Sequence, residues 1–170
     1  MARDCLLVVD QGTTSTRAVV YNSDLQPVGQ GQAEIHPVFP HSGWVEQDAA
    51  AIIRSVGPQV TQALLSSGVK AEQIAAIGLT NQRETTVVWD RTTGRPLAPA
   101  IVWQDRRTAD RCARLRDQAA WISPRTGLVI DPYFSATKIA WILENVPEAA
   151  KWAESGDLAA GTVDSYMIHH

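Results

Sequence analysis

Residues 5–21 read CLLVVDQGTTSTRAVVY, and this stretch decides the fold. Its opening run is apolar and rich in β-branched side chains, so it predicts a buried strand that ends at Asp10. Residues 16–21 predict a second strand and residues 28–35 a third. Because short turns join them, the three strands form an antiparallel meander. A dinucleotide-binding or P-loop domain is excluded, since its first strand would run into a helix through a glycine-rich turn.

The rest of the chain mixes helices and strands. Asp48 is a favourable N-cap for a helix up to residue 64, although Gly57-Pro58 disfavours an unbroken one. Residues 74–79 predict a buried strand, parallel to its neighbour because a helix connects them. Further strands are predicted over residues 85–89 and 158–160, and helices over residues 108–117 and 136–144 and from Pro147. Residues 100–103 are short and apolar. The pattern predicts an α/β domain with a mixed sheet, antiparallel in its first three strands and flanked by helices.

Composition excludes several classes of protein. The 170 residues are 45% hydrophobic, with a net charge of −3 and a pI near 5.8. A disordered chain would be less apolar, and a nucleic-acid-binding module would be basic. Two cysteines, Cys5 and Cys112, cannot make a disulfide framework, and neither has the close Cys or His spacing of a zinc site. No apolar run is long enough for a signal peptide or a membrane span, so we expect a cytoplasmic protein.

The turn at residues 10–15 has the composition of a phosphate-binding loop. Gly12 lets backbone approach a ligand closely, and successive turn N–H groups can form an anion-binding nest. Three consecutive hydroxyls offer further donors to phosphate oxygens. They belong to Thr13, Thr14 and Ser15.

Two charged residues flank this turn. Asp10 can hold a hydrated Mg²⁺ that bridges phosphate oxygens, and Arg17 can add a charge-assisted contact. A polar hairpin turn would explain the same residue types. Asp10 favours the ligand site over the plain turn. An unpaired charge at the end of a buried strand is costly, so its presence there suggests that it binds something.

A second group of residues suits a polyol. Arg83 and Glu84 follow the strand at 74–79, where open α/β sheets place ligands, and they offer donors and acceptors to neighbouring hydroxyls. Trp103 and Tyr133 can cover the C–H side of the ligand. The alternatives are a surface ion pair worth under about 1 kcal/mol and simple core packing.

Other conspicuous residues have simpler interpretations. Trp121, Trp141 and Trp152 lie at helical positions among apolar neighbours and are interpreted as core residues. The five arginines between residues 106 and 116 are interpreted as a solvated helix face rather than a nucleic-acid patch.

Several motifs together resemble the FGGY family of carbohydrate kinases. They are residues 10–15 (DQGTTS), 43–48 (GWVEQD) and 79–85 (LTNQRET). Within that family, three more motifs resemble the members that phosphorylate glycerol. They are residues 101–108 (IVWQDRRT), 126–135 (TGLVIDPYFS) and 161–165 (GTVDS). The first motif is also shared across the actin-like ATPase superfamily, so the later motifs carry the specificity.

The resemblance implies a ribonuclease-H-like domain of the actin-like ATPase superfamily, and transfer of the ATP γ-phosphoryl group to the 3-hydroxyl of glycerol. It implies that the nucleotide phosphates contact Thr13, Thr14, Ser15 and Arg17, with Asp10 near Mg²⁺. It implies that glycerol hydroxyls bind Arg83, Glu84 and Tyr133, with Trp103 as an apolar wall. In such chemistry the protein mainly positions groups and neutralises charge.

The resemblance also sets expectations for the whole protein. Residues 1–170 correspond to an incomplete N-terminal FGGY domain, with the general base and a C-terminal nucleotide-binding domain beyond residue 170. The parent is expected to be a homo-oligomer, and the isolated chain to be inactive. Two alternatives stay open: a kinase for another polyol or a ketose such as xylulose or ribulose, and a nucleotide-switch ATPase module of the actin or chaperone kind.

Overall fold

The structure, a computed structural model, describes residues 4–170. The strands are β1 (Cys5–Gln11), β2 (Ser15–Tyr21), β3 (Pro27–Glu34), β4 (Glu46–Gln47), β5 (Ile74–Asn81), β6 (Thr86–Asp90), β7 (Ala100–Ile101) and β8 (Leu158–Thr162). The α-helices are α1 (Ala49–Ser67), α2 (Ala109–Arg114), α3 (Ala119–Thr126), α4 (Ser135–Asn145), α5 (Ala149–Ser155) and α6 (Val163–His169). Two compact units form, one from residues 4–37 and 48–82, the other from residues 38–47 and 83–170.

The first unit is built on a sheet with strand order β3-β2-β1-β5. β1 pairs antiparallel with β2, β2 pairs antiparallel with β3, and β1 pairs parallel with β5. Alternate residues of β1 and β2 pack with α1 in one core cluster, among them Leu7, Val20 and Ala63. The predicted antiparallel meander and the parallel direction of the fourth strand are therefore confirmed. The prediction that residues 74–79 form a buried strand is wrong, because β5 is an edge strand of this sheet and its Ile77 is 63% exposed.

Helix α1 begins and ends where the sequence provides caps. The Asp48 carboxylate accepts hydrogen bonds from Ala50 N at 2.9 Å and Ala51 N at 3.1 Å, and Gly68 ends the helix with a φ of 70°. The expected interruption at Gly57-Pro58 is wrong, because the helix continues through Pro58. Pro58 is exposed, so the backbone carbonyl that loses its N–H partner there can bind water instead.

Strand β3 packs closely on α1 because two of its positions have no side chain. A Cβ at Gly29 would lie 2.5 Å from the Ala63 carbonyl oxygen, and one at Gly31 would lie 2.4 Å from the Gln59 carbonyl oxygen. A side chain at either position would force the helix away from the sheet.

The second unit has a sheet of its own, with order β4-β7-β6-β8 and antiparallel pairing throughout. The predicted mixed sheet is the sheet of the first unit, and this second, antiparallel sheet was not predicted. β4 and β7 are two residues long each, which is too short to produce a readable pattern. The core under this sheet includes Val88, Ile101 and Ile142.

Several helical predictions in the second unit are also corrected. Helix α2 ends at Arg114, short of the predicted residue 117, and α3 and α6 were not predicted. Trp121 of α3 is 61% exposed and therefore not a core residue. Trp141 packs against the core, and Trp152 is half-buried under the guanidinium of Arg95. Among residues 4–170 no helix has the length and apolar composition needed to cross a bilayer.

Candidate functional site

The turn between β1 and β2 is narrow, and a backbone hydrogen bond and two buried side chains hold it. Gly12 N donates to the Ser15 carbonyl oxygen at 2.8 Å, and a Cβ on residue 12 would lie only 3.2 Å from that oxygen. Two fully buried side chains lie below: Thr16 Oγ1 donates to Gln11 Oε1 at 2.7 Å, and Gln11 Nε2 donates to the Gly12 carbonyl oxygen at 3.1 Å. Sequence reasoning did not single out Gln11 and Thr16, which hold the turn in shape.

Asp10, Ser15 and Arg17 share the face of the sheet opposite α1. Asp10 faces Arg17 in the β1–β2 register, and Ser15 lies two residues from Arg17 on the same strand. Arg17 Nη2 lies 3.7 Å from Asp10 Oδ2, and the two side chains are 45% and 40% exposed. Both charges are therefore accessible to a ligand.

The hydroxyl-bearing residues of the turn differ in exposure. Thr14 is exposed and Thr13 is half-buried. Ser15 Oγ accepts a hydrogen bond from Gln32 Nε2 at 3.2 Å, and Thr14 and Ser15 line a polar cavity of about 290 Å³. Glu34 also lines this cavity, and its negative charge disfavours a phosphate group there.

Asp10 also fits the predicted metal chemistry. Within residues 4–170 no three Asp, Glu, His or Cys side chains cluster as a metal-binding group. A single accessible carboxylate is what Mg²⁺ takes in phosphate sites, where it keeps several waters and binds phosphate oxygens.

Glu84 occupies a strained turn between β5 and β6. Its φ is 65°, which costs a non-glycine residue on the order of 1 kcal/mol and is most common at functional sites. Its carbonyl oxygen accepts from Thr86 Oγ1 at 3.3 Å and from Ser135 Oγ at 3.2 Å, and Ser135 Oγ also lies 3.5 Å from Glu84 Oε2. These contacts hold the half-buried carboxylate, while the preceding Arg83 is exposed.

Trp103 and Tyr133 form an aromatic pair in the same unit. Their ring centroids lie 5.8 Å apart with the planes at 65°, and both residues are half-buried. Trp103 N donates to Thr85 Oγ1 at 3.2 Å, which ties this pair to the turn that carries Glu84. The structure thus links Glu84, Trp103 and Tyr133, which are far apart in sequence; we call these three residues the polyol cluster.

A buried ion-pair network lies in the same unit. Arg107 Nη2 is 2.8 Å from both Glu46 Oε1 and Asp105 Oδ2, and the Arg107 side chain is 2% exposed. Its guanidinium lies 3.8 Å from the ring centre of Trp44 and 4.7 Å from that of Trp141. The interpretation of the basic run as a solvated helix face is therefore wrong for Arg107.

Asp105 connects its own segment to the segment that contains Val45 and Glu46. Its Oδ2 also accepts from Val45 N at 2.7 Å, so one carboxylate satisfies both a buried backbone donor and a buried cation. The rest of the basic run lies nearer the surface, where Arg106 pairs with Asp131 at 3.3 Å and Arg111 pairs with Glu144.

Sequence reasoning also missed Lys138 and Ser135, both on α4. Lys138 is fully buried, and its Nζ donates to the Tyr133 carbonyl oxygen at 2.8 Å. A lysine among the apolar residues of a predicted helix was the available signal. Without the fold, however, nothing in the sequence shows which face of the helix is buried.

Residues 5–170 match the N-terminal domain of the FGGY family of carbohydrate kinases. The chain belongs to the FGGY family. It is similar to the glycerol kinase of Alcanivorax borkumensis, with 54% identity over 165 residues that cover 96% of this chain and 33% of that protein.

Solved structures of FGGY kinases resemble the chain closely. The crystal structure of Plasmodium falciparum glycerol kinase with ADP matches with a TM-score of 0.89 and 29% identity, covering 98% of this chain and 34% of that one. The xylulose kinase from Rhodospirillum rubrum matches in fold, with a TM-score of 0.83 and 23% identity over 96% of this chain and 33% of that one. These neighbours have the actin-like ATPase fold, so the predicted fold class is confirmed.

The FGGY chain spans about a third of the length of the curated relatives it matches. Membership of a kinase family implies ATP as the phosphoryl donor.

Proposed function

We propose that the full-length protein containing this chain transfers the γ-phosphoryl group of ATP to the 3-hydroxyl of glycerol and releases glycerol 3-phosphate. The observation that carries the proposal is that the turn carrying Glu84 is tied to the Trp103–Tyr133 pair, through Thr85 to Trp103 and through Ser135 next to the Tyr133 segment. A carboxylate accepts hydrogen bonds from hydroxyls, while aromatic rings cover the C–H surface of a small polyol. The 54% identity to a glycerol kinase supports glycerol as the acceptor.

The roles proposed for the polyol-binding residues follow from their chemistry. Glu84 accepts from glycerol hydroxyls, and the exposed Arg83 and the Tyr133 hydroxyl donate to glycerol oxygens. Trp103 forms the apolar wall. Because two donors and an acceptor fix the three oxygens, the reacting hydroxyl is oriented before transfer.

The roles proposed at the β1–β2 turn concern the nucleotide. Thr13, Thr14, Ser15 and Arg17 contact its phosphates, and Asp10 holds Mg²⁺. When bound, Mg²⁺ neutralises charge on the phosphate oxygens. Support comes from the accessible charges of Asp10 and Arg17 on the face that also carries Ser15.

We also propose that residues 1–170 are an incomplete N-terminal domain, and that the general base and a second nucleotide-binding domain come from the rest of the protein. A homo-oligomer is expected. Exposed apolar side chains on α1 and β5 support burial against further protein, since Leu65 is 74% and Ile77 is 63% exposed. Two buried free cysteines, Cys5 and Cys112, are consistent with a cytoplasmic location.

The proposal is tested by measuring ADP production by the full-length protein with glycerol, xylulose and ribulose. Glycerol is expected to give the highest kcat/KM. A preference for either pentulose would contradict the acceptor and leave the kinase class standing. ATP hydrolysis that no acceptor accelerates would instead favour the nucleotide-switch alternative.

A further inference from the structure

Lys138 stands apart from the other lysines of the chain. Lys70 and Lys151 are exposed, whereas Lys138 is fully buried on the first turn of α4. Taking an ammonium out of water is costly unless hydrogen bonds and opposite charges compensate for it. The position of this buried charge therefore calls for an explanation.

The contacts of Lys138 lead to the polyol cluster. Its Nζ donates to the backbone carbonyl of Tyr133 at 2.8 Å. Four charged groups act on it: Asp105, Glu84 and Asp131 favour its protonated form, and Arg107 opposes it. Tyr133 is thus a direct hydrogen-bond partner of this ammonium, and Glu84 supplies a negative charge that attracts it.

A purely structural role explains this arrangement poorly. Lys138 makes one hydrogen bond within the described residues, although an ammonium has three donors. Replacing such a buried ion with an apolar side chain of similar length is often neutral or stabilising. If residue 138 only filled space in the core, methionine would therefore serve as well as lysine.

We propose that Lys138 is a positioning residue for the polyol site: its ammonium fixes the backbone of Tyr133 through a direct hydrogen bond and adds a positive charge that attracts the Glu84 carboxylate, so that acceptor binding depends on it and nucleotide binding does not. This rests on the proposed function, because it assigns Glu84 and Tyr133 to the acceptor.

The charge state of Lys138 gives the proposal a pH signature. Burial lowers the pKa of Lys138 from its ordinary value of 10.5 to about 8. The ammonium is therefore charged below pH 8 and neutral above it. Loss of the proton removes the cation that attracts Glu84 and weakens the bond to Tyr133, so the KM for glycerol should rise as the pH passes through this region.

The test uses steady-state kinetics of the full-length protein and two variants, Lys138→Met and Lys138→Arg. Lys138→Met should raise the KM for glycerol by about tenfold, the scale of one charge-assisted hydrogen bond, and leave the KM for ATP unchanged. It should also flatten the pH dependence of the glycerol KM. Lys138→Arg keeps its charge at all these pH values and should therefore remove the rise in the glycerol KM from this pH range.

Lys151→Met, on an exposed site, is the matched control and should behave as wild type. If Lys138→Met does not fold, the pH dependence of the glycerol KM in the wild type and in Lys138→Arg still tests the role of Lys138. A glycerol KM that does not change between pH 7 and 9.5 in the wild type, or a rise that Lys138→Arg leaves in place, would overturn the role of Lys138. A failure of the wild-type protein to phosphorylate glycerol would contradict the proposed function itself. The wild type is measured first, so this outcome is distinguished from a failure of the Lys138 proposal.

Discussion

The candidate residues of the β1–β2 turn all lie within residues 10–17, whereas the polyol cluster draws Glu84, Trp103 and Tyr133 from three separate segments. In the turn, strand register and backbone hydrogen bonds place the side chains. In the polyol cluster, side-chain hydrogen bonds and ring contacts place them.

This difference shows where each region is vulnerable. A turn held by backbone tolerates the loss of one side chain, because the remaining N–H groups stay in place. The second unit relies on buried charges such as Arg107 and Asp105, and the loss of Asp105 leaves the buried Arg107 with Glu46 as its remaining ion-pair partner. Substitutions should therefore separate the two regions by both the size and the kind of effect.

The largest effect expected is loss of all turnover in the isolated 170-residue chain. Phosphoryl transfer needs a complete set of positioning and charge-neutralising groups, and the general base is proposed to come from the rest of the protein. The measurement is glycerol-dependent ADP production by the purified chain beside the full-length protein. Turnover by the chain above its glycerol-free control would show that the two regions suffice.

Asp105→Ala should cause the largest loss of stability. It leaves the Arg107 guanidinium short of a partner and Val45 N without its acceptor, at a cost of about 3–5 kcal/mol. Urea denaturation followed by tryptophan fluorescence measures it. Asp117→Ala, at an exposed position, is the control. If both variants unfold at the wild-type urea midpoint, buried charges do not stabilise the second unit.

Glu84→Gln should weaken acceptor binding without unfolding the protein. The amide keeps the size of the side chain and loses the charged acceptor, so kcat/KM for glycerol should fall about 10- to 100-fold, equivalent to about 1.5–3 kcal/mol. The KM for ATP should stay at its wild-type value. The control is Glu154→Gln on the exposed side of α5. An equal rise in both KM values would contradict the assignment of Glu84 to the acceptor alone.

Gly31→Ala tests the packing below the turn. Its Cβ would lie 2.4 Å from the Gln59 carbonyl oxygen, so β3 and α1 must separate, at a cost of about 1–3 kcal/mol. Gly57→Ala is the matched control, since its Cβ meets nothing within 4 Å and alanine favours the helix. In thermal unfolding, Gly31→Ala should lower the Tm and Gly57→Ala should raise it. A Gly31→Ala variant as stable as wild type would mean that α1 adapts freely.

The sequence predicted the first unit well because its signals are local. A continuous apolar strand, a short polar turn and an alternating strand each occupy a few neighbouring residues, and Asp48 marks the start of α1. Pro58 misled the prediction, since its effect depends on whether the freed carbonyl reaches water.

The second unit could not be predicted as well because its determinants are distant in sequence. The burial of Arg107 depends on Trp44 and Trp141, which lie on either side of it in the chain. The two-residue strands β4 and β7 exist through their pairing. The residues of the polyol cluster could be proposed from their chemical types. The positive φ of Glu84 and the hydrogen bond from Lys138 to the Tyr133 carbonyl oxygen could be seen only in the fold.

Thr14→Ala should have the smallest effect, and it tests the contrast most directly. One neutral hydroxyl contributes about 1 kcal/mol, so the KM for ATP should rise by roughly fivefold while the KM for glycerol stays unchanged. Thr61→Ala, which removes an exposed hydroxyl from α1, should change neither value. The small effect is expected because the turn keeps its shape through Gly12, Gln11 and Thr16, none of which contacts the lost hydroxyl. A Thr14→Ala variant that loses as much activity as Glu84→Gln would show that the turn depends on single side chains, as the polyol cluster does.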